Sequence, residues 1–302
     1  MCTLVREVFL NFDEILLLGE YGQLGCSFIE LANAKSKRFL HYPATGKYYL
    51  GNDSLSTFIA STLPRVIINA AAYTNVESAE KEPEKAFFVN VDSVAHLAGL
   101  AKRYNALLVH FSSDYVFDGS GIRPWHESDQ PSPLNIYGQS KWLGEQAIIT
   151  SGCRYLIIRT SWLHSPWRNN FIKTMLQLGH TKTELVVVCD QVGAPTSTVM
   201  LADMVLLAIE QVLTNPLLAG VYHIAATGGV SWFDYARFIF SEAKDLGLVD
   251  RMPNLISVTS DNYLSQVSRP LNSRLDTTKF CHAYGVQLPD WREGVLETLN
   301  RL

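Results

Sequence analysis

The sequence predicts an α/β protein: a doubly wound parallel sheet followed by a smaller C-terminal lobe. Three observations predict it. Short, β-rich apolar runs alternate with longer helical patterns up to Arg159, as parallel strands joined by crossover helices must. The first of these runs leads straight into a glycine-spaced turn. After Arg159 the rhythm loosens. The chain has 302 residues, 47% apolar and 18% charged, which suits a packed core in one large domain or two unequal ones.

Taken in order, Ile15–Leu18 is a buried strand and the helical stretch after it runs to Asn33. Phe39–Tyr42 is a short second strand. Val66–Ala70, set off by Pro64, is the third. From Pro83 to Tyr104, residues Phe87, Val91, Val94, Leu97, Ala98 and Ala101 recur at helical spacing and predict one long helix. Leu107–Ser112 is the next strand, and Asp118 to Pro133, rich in Gly, Pro and Ser, is a long loop. Asn135–Thr150 is helical and Tyr155–Arg159 is a strand. Beyond it, Leu185–Cys189 and Val221–Ala225 read as strands, and Met200–Leu213, Trp232–Leu246 and Trp291–Leu302 as helices. Pro253–Arg274 reads as mostly irregular. The division expected is residues 13–160 for the nucleotide-binding sheet domain and 161–302 mainly for the lobe, with some segments returning to the sheet.

Composition excludes several classes. Lys+Arg is 25 against 29 Asp+Glu, a net charge of -4, so no basic face for nucleic acid is expected; Lys35, Lys37 and Arg38 read as a solvated loop. The five cysteines form neither a CxxC pair nor a Cys/His cluster, which points to a reducing cytoplasm and no zinc. The first residues lack the apolar core of a signal peptide. The longest stretch free of charge, Gln211–Phe233, is broken by Pro216 and three glycines, so no membrane span is expected.

The turn after the first strand is Gly19-Glu20-Tyr21-Gly22-Gln23-Leu24-Gly25. The first glycine permits a tight turn, the second lets a diphosphate approach the backbone, and the third lets the helix pack on its strand. Amide groups at the helix start then face the phosphates. An ordinary strand–helix turn is the alternative, but the strand before and the helix after fit a dinucleotide loop of a Rossmann-type domain. Such domains usually hold the adenosine ribose with an acid at the end of the second strand. Here that end reads Leu40-His41-Tyr42-Pro43 and has none. A 2′-phosphate would meet no repulsion, and Lys35, Lys37, Arg38 or Lys47 could pair with it, so NADPH is expected, with NADH possible.

Tyr137-Gly138-Gln139-Ser140-Lys141 opens a helix, and positions i and i+4 share a face. A tyrosine ordinarily titrates near ~10; a neighbouring lysine cation favours the phenolate and makes the pair a usable acid/base. About 24 residues earlier, His110-Phe111-Ser112-Ser113-Asp114-Tyr115 leaves the carboxyl end of a strand. A hydroxyl there can polarise a substrate carbonyl. Each element alone is common; the three in this order are not.

In that order and spacing the chain resembles the extended short-chain dehydrogenase/reductases, and within them the dTDP-4-dehydrorhamnose reductases. The likeness spans about residues 15–300. It is carried by Asn69-Ala70-Ala71-Ala72-Tyr73-Thr74, Ser112–Gly119, Pro133–Gly138 with Lys141, Gly144 and Glu145, Arg159-Thr160-Ser161-Trp162, Asn169-Asn170-Phe171, Asp190-Gln191 with Gly193–Thr196, and Ser268-Arg269-Pro270 with Asn272-Ser273. The resemblance implies an NAD(P)H-dependent reduction of a dTDP-4-keto sugar. Tyr137 would be the proton donor, Lys141 its partner and Ser113 the polarising hydroxyl. Gly19, Gly22, Gln23, Leu24, Gly25, Ala71, Ala72, Tyr73 and Thr74 would line the cofactor, with Asp53 near the adenine and Tyr137 and Lys141 at its nicotinamide end. Asp114, Trp162 and Arg269 would join Ser113 in binding the sugar nucleotide, Trp162 by packing on the sugar; from the residues alone, Trp162 reads as a core aromatic. Many bacterial members carry two glutamates that hold magnesium between subunits. Ser27 and Val199 stand at those positions here, so no metal is expected and the chain should be a monomer or a dimer without magnesium. Two rivals remain: an epimerase or dehydratase of nucleotide sugars from the same superfamily, and a non-catalytic subunit like that of methionine adenosyltransferase.

Overall fold

The computed structural model describes residues 10–42, 53–264 and 267–302. Strand β1 (Ile15–Leu18) leads through the glycine turn to α1 (Gln23–Ala34) and the two-residue β2 (Leu40–His41). Then come α2 (Asp53–Thr62), β3 (Val66–Asn69), α3 (Val76–Lys81), α4 (Pro83–Phe87), α5 (Ser93–Arg103) and β4 (Leu107–Ser113). Helix α6 (Ile136–Ser151) and β5 (Arg154–Thr160) complete the first half. The second half holds β6 (Leu163–His164), α7 (Phe171–Thr181), β7 (Glu184–Val188), β8 (Val192–Gly193), β9 (Thr196–Ser197), α8 (Thr198–Thr214) and β10 (Gly220–His223). It ends with β11 (Val230–Ser231), α9 (Trp232–Asp245), β12 (Asn254–Val258), α10 (Thr278–Tyr284) and α11 (Trp291–Leu299).

Six parallel strands form the main sheet in the order β10-β5-β4-β3-β1-β2. β1, β3 and β4 are buried along their whole length, which is why they read as apolar runs, broken only by Asn69, His110, Ser112 and Ser113 towards their carboxyl ends. Successive residues face opposite layers. Ile15 and Leu17 join Leu24, Phe28, Leu201 and Val205 of α1 and α8 on one face; Leu16 and Leu18 join Leu55, Ile59, Val94 and Leu97 of α2 and α5 on the other. The chain leaves β1 for β2 on one side and reaches β3 on the other. The order thus reverses beside β1, and a crevice opens at the strands' carboxyl ends. A third core, with Ile172, Leu185, Tyr235, Phe240 and Trp291, unites α7, β7, α9 and α11 in the later half. Strand β10 and helix α8, though late in sequence, belong to the sheet layers.

Two expectations need correction. The helix from Pro83 is not continuous: Phe88–Asp92 forms a π-helical turn between α4 and α5. The wider turn inserts a residue and moves Asn90 off the regular ladder. Pro253–Arg274 holds a strand, β12, that pairs in parallel with β7. That ladder is short and two-stranded, and none of β12 is fully buried, so its sequence lacks strand alternation. Helices α2, α3, α7 and α10 are additions to the sequence reading; α2 is rich in Ser and Thr, poor helix formers. No helix among the described residues is long and apolar enough to cross a membrane.

Candidate active site

Because the sheet is parallel, the segments that follow β1, β3, β4 and β5 all emerge at one edge. Their register sets Leu18 beside Asn69, Asn69 beside His110, and Ser113 beside Thr160.

The glycine turn fits a dinucleotide. Gly19 lies at φ +86°, and a Cβ there would meet Ala71 N at 2.4 Å; at Gly25 it would meet Gly19 O at 2.2 Å. Both glycines are forced by close packing. At Gly22 the nearest atom would be 3.4 Å away, so that position is left open. Gly22 also caps α1 without any side-chain hydrogen bond, leaving the helix's first amides to an anion. Leu24 is buried in the core, while Gln23 ties the turn to the later half by accepting from Ser165 Oγ (2.9 Å) and Asn170 Nδ2 (3.0 Å). Ala71, Ala72 and Tyr73 are half-buried and Thr74 is exposed. The Tyr73 backbone is clasped by Asn90, which accepts from its N–H at 2.9 Å and donates to its C=O at 3.0 Å. Asp53 is exposed in the first turn of α2.

The end of β2 is not free of acid. Glu20, from the glycine turn, places Oε2 2.7 Å from His41 Nδ1. The sequence reading looked for an acid on β2 itself and so missed one brought there by the turn. Lys47 lies outside the described residues.

Helix α6 carries the acid/base pair. Asn135 caps it by accepting from Gly138 N at 2.8 Å. Gly144 lets the helix meet the π-helical turn: a Cβ there would stand 2.2 Å from Asn90 O. Asn90 Nδ2 then donates to Ser140 Oγ at 2.9 Å, and Ser140 Oγ to Tyr137 O at 2.8 Å. Tyr137 packs edge-on to Tyr115, with ring centroids 5.6 Å apart. Ser113 Oγ donates to Asp114 Oδ1 at 3.0 Å and lies near enough to Tyr137 to act on its ionisation, so the polarising hydroxyl and the acid are neighbours.

The electrostatics depart from the simple Tyr–Lys picture. Burial pushes Tyr137 up to about 12; the Ser113 hydrogen bond opposes this and the Asp114 charge adds to it. Lys141 is buried, with Nζ turned to His110 Nε2 at 3.4 Å. Burial brings its ammonium down to about 8, against the pull of Glu145. Glu145 is itself bound by Arg159 through contacts of 2.7 and 2.9 Å. Tyr137 is thus held as the protonated phenol, the form a proton donor needs. Asp114 is buried and pushed up to about 6 by desolvation, with hydrogen bonds from Ser273 and Ser113 opposing.

Trp162 sits at φ +48°, a strained setting for a bulky side chain. Its ring stacks on Trp232 at 3.6 Å and lies so close to Gly193 that a Cβ there would be 2.4 Å from Trp162 Cε2. It belongs to an aromatic group with Phe171 and Tyr235 at the border of the third core. Arg269 forms an ion pair with Glu77 of α3. Its segment is held over the site: Asn135 donates to Ser268 O at 2.9 Å, and Asn272 N to Gly119 O at 3.0 Å. Sequence reasoning missed Asn90, His110 and Trp232. The signal for Asn90 and His110 was a polar residue within an otherwise apolar helix face or strand.

Residues 13–302 match the family described as RmlD substrate binding domain. The chain is 41% identical over 292 residues to a dTDP-4-dehydrorhamnose reductase of Escherichia coli K12, covering 95% of this chain and 97% of that one. Among solved structures it is similar to a dTDP-4-dehydrorhamnose reductase of Bacillus anthracis in complex with NADP, at 34% identity and TM-score 0.85, covering 95% and 99% of the two chains. It is also similar to one from Clostridium acetobutylicum, at 33% identity and TM-score 0.86, covering 95% and 98%.

Proposed function

The chain belongs to the RmlD substrate binding domain family, and from that premise we propose that it reduces the 4-keto group of dTDP-4-dehydro-6-deoxy-L-mannose to give dTDP-L-rhamnose, using NADPH. The observation that carries this reading is a buried, protonated Tyr137 with Ser113 acting on it, on segments that leave the same sheet edge as the glycine turn.

When bound, NADPH supplies the hydride; the glycine turn and the amides that open α1 would hold its diphosphate, and Ala71–Thr74 its flank. Ser113 donates to the carbonyl oxygen and draws charge towards it. Tyr137 gives that oxygen its proton. Lys141, buried one turn later on the same helix, would favour release of the phenolic proton. Asp114 accepts from sugar hydroxyls, and the Trp162–Trp232 stack forms an apolar wall for the sugar. Arg269 exchanges its partner Glu77 for the substrate's diphosphate. On this reading residues 13–160 form the cofactor domain and 161–302 mainly the substrate lobe, with α8 and β10 returning to the sheet.

The family likeness and the intact Tyr137 and Lys141 favour an enzyme over a non-catalytic subunit. Among the described residues Cys26, Cys153, Cys189 and Cys281 are free, which suits a reducing cytoplasm. We propose a monomer or a dimer that needs no magnesium. Assay of the purified protein with the dTDP-keto sugar and each reduced cofactor, with the product identified by NMR, tests the reading. Cofactor oxidation with formation of dTDP-L-rhamnose is expected; no oxidation, or epimerisation without it, would refute it.

A further inference from the structure

We propose that His110 is a positioning residue for Lys141, whose Nε2–H is directed at the lysine nitrogen by a hydrogen-bonded chain anchored on the Ala71 backbone, so that the neutral amine is the favoured partner. The inference rests on the reading of Lys141 as the reaction's lysine.

The polarity of the chain follows from its anchor. Ala71 N–H can only donate, and it donates to Asn69 Oδ1 at 3.2 Å. The amide orientation of Asn69 is thereby fixed, and its Nδ2 faces His110 Nδ1 at 3.2 Å. An amide NH₂ has no acceptor, so Nδ1 accepts and carries no proton. His110 is wholly buried, and burial together with Lys141 holds it well below the usual histidine range, hence neutral. Its single ring proton is then on Nε2, 3.4 Å from Lys141 Nζ. An ammonium has three donors and no acceptor and meets this N–H donor to donor. The free amine has a lone pair and accepts it.

The other groups around Lys141 do not reverse this. Glu145, on α6, favours the ammonium, but its carboxylate is engaged by Arg159 of β5. Tyr137, one turn earlier on α6, is held as the neutral phenol, and Asp114, from the turn after β4, acts on Tyr137. The arrangement suits the end of the proton transfer. Tyr137 loses its O–H proton to the substrate oxygen and becomes a phenolate. A Lys141 N–H bond then breaks and the phenol O–H bond re-forms, leaving a neutral amine and a neutral phenol. The waiting Nε2–H stabilises that amine. A lysine that titrates close to the working pH is also better suited to passing protons than a permanent cation.

Nitrogen NMR of the histidine rings in the full-length wild-type protein tests the tautomer, with His110 assigned by ring-to-backbone correlations. The expected result between pH 6 and 9 is a protonated Nε2 and a bare Nδ1. A protonated Nδ1 with bare Nε2, or a doubly protonated ring, would overturn the proposal. This readout needs no substrate, so it stands apart from any failure of the reductase reading. His110→Phe keeps ring volume and removes the opposing N–H. The alkaline limb of its kcat profile should move up by about one pH unit, tenfold in the ionisation constant, with both KM values kept. A purely structural role would lower Tm and leave the limb in place; an unmoved limb in a folded variant overturns the proposal. If the variant does not fold, the wild-type tautomer decides.

Discussion

Glu20 and His41 meet at 2.7 Å where the glycine turn passes the end of β2, so the turn supplies the acid that the strand lacks. A carboxylate near the adenosine ribose accepts from a 2′-hydroxyl and repels a 2′-phosphate. Glu20→Gln removes the charge and keeps the shape. The ratio of kcat/KM for NADPH over that for NADH should rise several-fold, roughly the worth of one screened surface charge contact. Steady-state kinetics with both cofactors check this; an unchanged ratio would mean that Glu20 does not face the ribose.

Tyr137→Phe keeps the edge-on packing against Tyr115 and removes only the hydroxyl. Turnover should fall by about 10²–10⁴-fold, the usual range for general acid help, with NADPH affinity kept. Fluorescence titration and single-turnover assays separate the two effects. Wild-type turnover in this variant would transfer the acid role elsewhere.

Much of this site was legible because it depends on local order. The strand, the glycine turn and the Y-x-x-x-K helix are contiguous signals, and a parallel sheet brings its strand ends to one edge without further information. What was not legible depends on approach between distant segments. Glu20 reaches His41 across 21 positions, Asn90 reaches Ser140 across 50, and Trp162 finds Trp232 across 70. Asn90 was doubly hidden, since periodicity continues through the π-helical turn and gives no sign of the inserted residue. Lys141 was expected to act on Tyr137; nothing in its spacing revealed that a buried histidine on β4 would claim its nitrogen.

Trp162 and Trp232 should behave as one unit. With the rings 3.6 Å apart, removing either leaves the other without its support. Trp162→Ala and Trp232→Ala should each raise the KM for the dTDP-sugar and leave NADPH binding alone. The double variant should cost less than the product of the two single effects, because the pair is coupled. Strictly multiplicative losses would show that only one ring faces substrate.

Asp114 makes stability depend on pH. Its folded-state value, about 6, lies above the ordinary 3.8 of an aspartate, so the folded protein binds this proton more tightly than the unfolded chain. The contribution is fully present below about pH 4 and is lost as pH rises through about 6. Asp114→Asn abolishes the dependence and should raise stability at pH 8 by up to about 3 kcal/mol, at ~1.4 kcal/mol per unit. Denaturant unfolding at pH 4.5 and 8 checks this: the gain should be larger at pH 8. The same variant should bind the sugar nucleotide less tightly, since an amide accepts at only one of its two atoms. A gain of equal size at both values would remove the charge from the account.

The last expectation concerns metal. A doubly charged ion between subunits needs carboxylates to offset its desolvation. Ser27 offers a neutral hydroxyl, and the structure commits that hydroxyl within its own chain: Ser27 Oγ lies 2.6 Å from Thr198 Oγ1 and donates to Gln23 O at 3.3 Å. Ser27 is wholly buried where α1 packs on α8, so using it as a ligand would mean parting two helices of the sheet layer. Val199, the next residue after Thr198, has no side-chain donor atom at all. Magnesium therefore gains nothing at these positions. EDTA should change neither turnover nor the mass measured by light scattering, and added magnesium should change neither in return. A wild-type dimer that dissociates in EDTA and returns with magnesium would show that other carboxylates of the chain hold the ion.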